Sequence, residues 1–196
     1  MRLLSKSVKP GNLFYIPAMK NNIAGFVISR YIDLVQPNVG YLIEVFAKFY
    51  TDPPKAIDEI DAKQRLFRPV MFSMYFSEIP KWKILFSDPE YGKSQSDYAN
   101  ITFAFHDDLW IGGQGGIRPD SPEQLRDFEE SICWRTHHLI FRVNAHLAGL
   151  LGPNERYDYH RVPAKYRIDD PAGIQEVRAL AAEIDERSKS WKFKET

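Results

Sequence analysis

A second cysteine is missing from this chain, so Cys133 cannot close an internal disulfide and a reducing compartment is expected. Net charge is missing as well. Lys and Arg total 26, Asp and Glu total 26, and the balance is also local: 14 basic and 13 acidic residues precede Ser121, and 12 and 13 follow from there. Nucleic-acid binders depend on a basic surplus to neutralise phosphates, so nucleic acid is not an expected partner. An acidic mimic of DNA is excluded by the same count. No run approaches the ~20 apolar residues of a membrane span, and the opening residues lack the apolar stretch of about 7 residues that an export signal needs. A cytoplasmic chain without a membrane partner is the expectation. Neither a repeat of 20 to 50 residues nor a low-complexity segment is present.

What is present is a generous aromatic share, 14%, within a chain of 196 residues. At that length roughly 70% of the unfolded surface can be buried, so a substantial core is available. Residues 13–18, 23–34 and 39–50 are rich in Ile, Val, Phe and Tyr, with breakers at Lys20-Asn21-Asn22 and Gln36-Pro37-Asn38 between them. They read as an antiparallel meander that opens on the turn Lys9-Pro10-Gly11-Asn12. Thr51-Asp52-Pro53-Pro54 stops the third strand, and residues 56–63 suit a short surface helix or loop. Further strands are expected at 67–76, 81–86, 100–106 and 109–111.

The run Gly112-Gly113-Gln114-Gly115-Gly116 reads as a boundary, after which the apolar period changes to about 3.6. Ser121-Pro122-Glu123-Gln124 has the form of a helix start, and Leu125, Phe128, Ile132, Leu139, Val143 and Leu147 follow at helical spacing. A helix over 121–148 is expected, sandwiched because Trp134, Phe141 and Ala145 lie on its other faces. A second helix is expected from Asp170-Pro171 to about Ser188, with a single stripe of Ile174, Val177, Leu180, Ala181 and Ile184. The expected fold is one α+β domain over 1–196, β-rich over 9–111 and helical over 121–190. Its N-terminal curved antiparallel sheet or partial barrel would carry two C-terminal helices packed on it.

No set of residues has the spacing of a catalytic or metal centre. Two histidines on one helix share a metal ion at positions i and i+4, whereas the positions four away from His138 are Trp134 and Arg142, and four after His137 is Phe141. His137, His138 and His146 are expected as surface or inter-helix hydrogen-bonding groups. The glycine run lacks the spacing and the lysine of a phosphate cradle. Cys133, beside Ile132 and Trp134, reads as an inert buried thiol, and the adjacent pairs Asp107-Asp108, Glu129-Glu130 and Asp169-Asp170 diverge too much to flank one bond. No catalytic residue, metal or cofactor is expected. The acidic connection with Asp58, Glu59 and Asp61, and the set Asp107, Asp108 and Trp110, combine charge with an aromatic anchor, as protein interfaces do.

Lys9-Pro10-Gly11, Phe14-Tyr15-Ile16-Pro17, Gly25, Ile43-Glu44-Val45-Phe46 and Lys81-Trp82-Lys83-Ile84, in that order, resemble the immunity protein 26 family. The resemblance spans roughly residues 9–110. It departs from the family's opening in Asn12, where Asp is usual, and the region after Ser121 has no match in it. The resemblance implies a bacterial antidote that binds the toxic domain of a polymorphic toxin and blocks it without catalysis. Asp58, Glu59, Asp61, Asp107, Asp108 and Trp110 are the expected partner contacts. Two rivals are a small ribonuclease-type toxin on a β-barrel, and a nucleic-acid or peptide-binding β module that stacks ligands on Tyr15, Tyr31, Phe46 and Tyr50.

Overall fold

The computed structural model describes residues 8–35, 40–73 and 82–193. The expected breaker at 36–38, the start of the third strand at 39, and the expected strand positions 74–76 and 81 lie outside the described residues. The opening turn is built by Gly11 and Asn12. Gly11 takes a φ of +85° and an added Cβ would lie 2.6 Å from the Tyr91 Cβ, so a larger residue is excluded both by strain and by space. Asn12 accepts the Lys9 backbone N–H at 2.7 Å and donates its amide to Ser87 Oγ at 2.9 Å, tying the turn to a strand 75 residues on.

Strand β1 (Asn12–Lys20) pairs antiparallel with β2 (Ile23–Val35) across Asn21 and Asn22, both at positive φ. Strand β3 (Gly40–Tyr50) pairs with β2 through two register shifts, and such bulges bend the strands that carry them. Strands β4 (Val70–Phe72) and β5 (Ile84–Ser87) flank the meander on opposite sides. A smaller sheet holds β6 (Thr102–Phe105), β7 (Asp108–Ile111) and β8 (Gln114–Ile117). The glycine run is therefore not a boundary but the β7–β8 hairpin turn. Gly112 and Gly113 stand there at φ +55° and +99°, as a two-residue turn requires.

The largest departure from expectation lies in residues 121–135. Instead of the first half of a long helix, a 3-10 turn (Pro122–Asp127) leads into β9 (Glu129–Glu130) and β10 (Cys133–Trp134). β9 adds to β6 in parallel and completes a sheet of order β8-β7-β6-β9. β10 adds to β4 in parallel and completes a sheet of order β10-β4-β3-β2-β1-β5. Six residues thus staple the two sheets together. Ladder pairing outweighs the weak helical preference of Ile, Cys and Trp, and Ile132, expected on a buried stripe, is half exposed.

Helix α1 (Thr136–Leu147) is buried nearly all round, as expected for a sandwiched helix. Helix α2 (Pro171–Ser188) starts on the Asp170 cap, whose carboxylate accepts the Gly173 N–H at 2.9 Å with Pro171 at the first helical position. Both helices touch β1, and they touch each other. Leu139, Ile140 and Val143 of α1 share one core with Val177, Leu180 and Ile184 of α2 and with Tyr15, Phe26 and Phe46 of the sheet. A second core lies between the sheets, where Ile32, Val35, Leu42 and Met71 meet Ile101, Phe103 and Trp110. The fold is mixed α+β, with strands mostly N-terminal and two C-terminal helices.

Candidate functional site

The sequence-derived contact residues separate into exposed and buried members. Asp58 and Glu59 belong to a 3-10 turn (Ile57–Glu59), and with Asp61 they are exposed. Their connection is held locally: Glu59 accepts the Lys55 N–H at 2.8 Å, Asp61 accepts that of Lys63 at 3.2 Å, and the Asp61 N–H donates to the Tyr50 hydroxyl at 3.2 Å. Asp107 is exposed in the β6–β7 turn, where His106 takes φ +50°, and Asp108 is half-buried at the start of β7. Trp110 is not a surface anchor. It is 5% exposed, with rings of Phe103 and Tyr98 against it at 5.6 and 6.0 Å, because the large sheet covers that face of β7. The two acidic groups stand on connections of different sheets, the first between β3 and β4 and the second between β6 and β7, and no hydrogen bond or ion pair among the described residues joins them. Tyr15, Tyr31, Phe46 and Tyr50 are all buried, so none is available as a stacking platform.

The chain also contains two buried ionic hubs that no local pattern reveals. In the first, Glu44 on β3 receives Arg30 from β2 at 3.4 Å, Arg65 at 2.7 Å and the Ser96 hydroxyl at 2.6 Å. The Arg30 guanidinium sits between the Phe46 and Tyr91 rings. In the second, Arg142 of α1 grips both oxygens of Glu129 on β9, at 2.7 and 2.8 Å, with Phe67 and Trp134 against its plane. The two residues are 0% and 3% exposed. A bidentate pair of this kind fixes α1 against the sheet staple, and leaving either member alone would strand a buried charge.

One turn beyond Arg142 lies His146, 6% exposed, with both ring nitrogens lacking a hydrogen-bond partner and its ring 4.8 Å from Phe67. Burial, with the Arg142 charge behind it, lowers its pKa to about 3, against weaker opposing contributions from the Leu151 backbone and Glu155. The expected surface or inter-helix hydrogen-bonding role does not hold for His146, which is buried and meets the Leu151 backbone only outside hydrogen-bond geometry. It is a neutral core group. His137 and His138 are half-buried in the first turn of α1. Among the described residues no three His, Cys, Asp or Glu side chains gather as a metal site would require. Cys133 lies half-buried on β10, and burial raises its pKa against the Ser73 hydrogen bond and the Arg135 charge, which disfavours the reactive thiolate.

A hydroxyl, an amine and a phenol do converge, although their positions in sequence conceal it. Ser188 Oγ receives Lys83 Nζ at 2.9 Å and the Tyr15 hydroxyl at 3.3 Å. A serine beside a lysine can act as a nucleophile–base pair when substrate reaches it. Ser188 is fully buried and donates to the Asp185 carbonyl at 2.6 Å, so its proton holds the end of α2. Desolvation raises the Tyr15 pKa further, keeping the phenol neutral. The trio clasps α2 to β1.

Open clefts flank this interior. One of about 660 Å³ runs beside β5 and the opening turn, lined by Lys9, Asn12, Phe86 and Tyr91. Another of about 680 Å³ is lined by Arg126, Glu130, Arg156, Tyr159 and Arg161. A smaller one of about 250 Å³ lies between Arg65, Arg68, Asn100, Asp127 and Phe128. Comparison with models of known protein families, with curated proteins and with solved structures finds no match in any of the three.

Proposed function

We propose that this chain is an immunity protein of the type its opening residues resemble, a non-catalytic antidote that binds and blocks the toxic domain of a bacterial polymorphic toxin in the cytoplasm. One observation carries the reading. Among the described residues, Glu44 with its arginines, Glu129 with Arg142, and Ser188 with Lys83 close on one another in the interior, while Asp58, Glu59, Asp61 and Asp107 stay exposed on loops. Such a division suits recognition, in which a rigid scaffold presents loop charges that steer encounter.

An antidote of this kind needs nanomolar affinity, about −12 kcal/mol, through an interface of roughly 1,600 Å². The test is co-expression and titration with the C-terminal domain of the polymorphic toxin that this reading requires to be encoded beside it. Rescue of growth with a nanomolar complex supports the reading. Growth arrest caused by this chain alone would instead make it the toxin.

A further inference from the structure

Helix α2 ends under a firm clasp, and the chain beyond it is held differently. Ser188 accepts Lys83 and the Tyr15 hydroxyl, and Arg187 donates to the carbonyls of Ala24 and Thr51, so the last turn is tied across the sheet. Lys189 and Ser190, both exposed, continue the turn, their N–H groups donating to the Glu186 carbonyl at 3.1 Å and the Arg187 carbonyl at 3.2 Å. From Trp191 on, no hydrogen bond among the described residues reaches the sheet. Aromatic contact holds residues 191–193 instead. The Trp191 ring lies 5.1 Å from that of Tyr15 and 4.8 Å from that of Phe26, and the Phe193 ring lies 5.2 Å from that of Phe86. Trp191 and Phe193 are half-buried while Lys192 between them is exposed, the alternation of an extended segment with one face on the protein. Beneath them Tyr15 and Phe26 are 0% exposed, and Phe26 stacks in turn on Tyr50 at 5.8 Å.

We propose that residues 189–193 are a releasable strap over an aromatic seat built by Tyr15, Phe26 and Phe86. The strap swings out at Lys189-Ser190 while α2 stays clasped, and the open seat takes two aromatic side chains, two residues apart, from another polypeptide. A chain end without ladder hydrogen bonds belongs to the parts of a fold that open well below global unfolding. The seat stays in place because Tyr15 and Phe26 belong to the antiparallel pairing of β1 with β2. Its preference is that of its present occupant: edge-on and tilted ring contacts at 4.8 to 5.2 Å suit aromatic groups. Tethering gives the strap an effective concentration on the order of millimolar, so it excludes weak aromatic ligands and yields to a segment that binds more tightly. The strap is thus an internal competitor for its own docking surface. This holds independently of the toxin reading, since strap and seat belong to one chain.

Two experiments on the full chain test this. In the parent, the indole N–H resonances of the 4 tryptophans are followed through a urea titration, with Trp191→Phe identifying the Trp191 signal. That signal should reach its unfolded position at lower urea than those of Trp82, Trp110 and Trp134, all of them buried in the cores or against them. One shared transition would overturn the strap. In the second experiment W191A/F193A, checked for a cooperative thermal melt, is titrated with a synthetic peptide of the sequence 189–196 and with the same peptide carrying alanine at both aromatic positions. The variant should bind the aromatic peptide saturably and the alanine peptide not at all, and the parent should bind the aromatic peptide at least about 10-fold more weakly because its own strap competes. Equal binding by parent and variant, or none by the variant, would overturn the seat. Loss of the cooperative melt in W191A/F193A would make both rings part of the core, and the proposal would fall with it.

Discussion

Replacing His146 with Leu, a side chain of similar volume that takes no proton, should make the protein more resistant to acid. In the folded chain the imidazole stays neutral down to about pH 3, because it is buried beside Arg142 without a hydrogen-bond partner. In the unfolded chain it takes a proton near pH 6.5. A folded pKa lying below the unfolded one means that the unfolded state binds the extra proton, so the neutral imidazole costs nothing above about pH 6.5 and stability is lost as pH falls from there toward 3. The slope is about 1.4 kcal/mol per pH unit, and by pH 4.5 the loss attributable to this group reaches about 2–3 kcal/mol. Carboxylates titrate over the same range, so the quantity to measure is the difference between parent and H146L in urea unfolding free energy at pH 7.5, 6.0, 5.0 and 4.5. That difference should be constant above pH 7 and should grow in favour of H146L below 6.5. Parallel curves throughout would refute the argument, since they would mean that the folded protein accepts the proton at the ordinary pKa.

Three further outcomes are expected. Arg142→Met should cost about 3–5 kcal/mol by stranding Glu129, and adding Glu129→Leu should recover much of it, because an apolar pair of similar volume replaces a buried ionic one; denaturant melts of the single and double variants check this. Trp110→Ala should lower stability by about 3–5 kcal/mol, read from the thermal melt, whereas a surface contact would leave the melt unchanged. Asp107→Lys and Asp58→Lys should leave the melt unchanged, and whichever loop meets the toxin should slow its association in stopped-flow measurements with a marked salt dependence.

Much of the fold was legible because its signals are local. Strands β1 to β3 combine β-branched and aromatic runs with breakers at Asn21 and Asn22, and α2 is announced by Asp170-Pro171 and one apolar stripe. Residues 129–134 were not legible, since their conformation is set by β6 and β4, 25 or more residues away in sequence. Trp110 misled for a related reason: whether a strand tryptophan meets solvent or core depends on the opposing sheet, here through Ile32 and Met71. Glu129 with Arg142, and Ser188 with Lys83 and Tyr15, are pairings across the fold. The adjacent acidic residues Glu129-Glu130 looked alike in sequence, yet one is sealed under α1 and the other exposed, a split that follows from period-two alternation once the strand is known.

On the proposed reading, this chain binds a toxin domain and performs no chemistry on it. Calorimetric titration of the full chain with the toxin domain that this reading requires to be encoded beside it, paired with a growth assay, tests it most directly. A one-to-one complex of nanomolar Kd that restores growth is the predicted result. No measurable heat at micromolar concentrations, with growth still arrested, would contradict it.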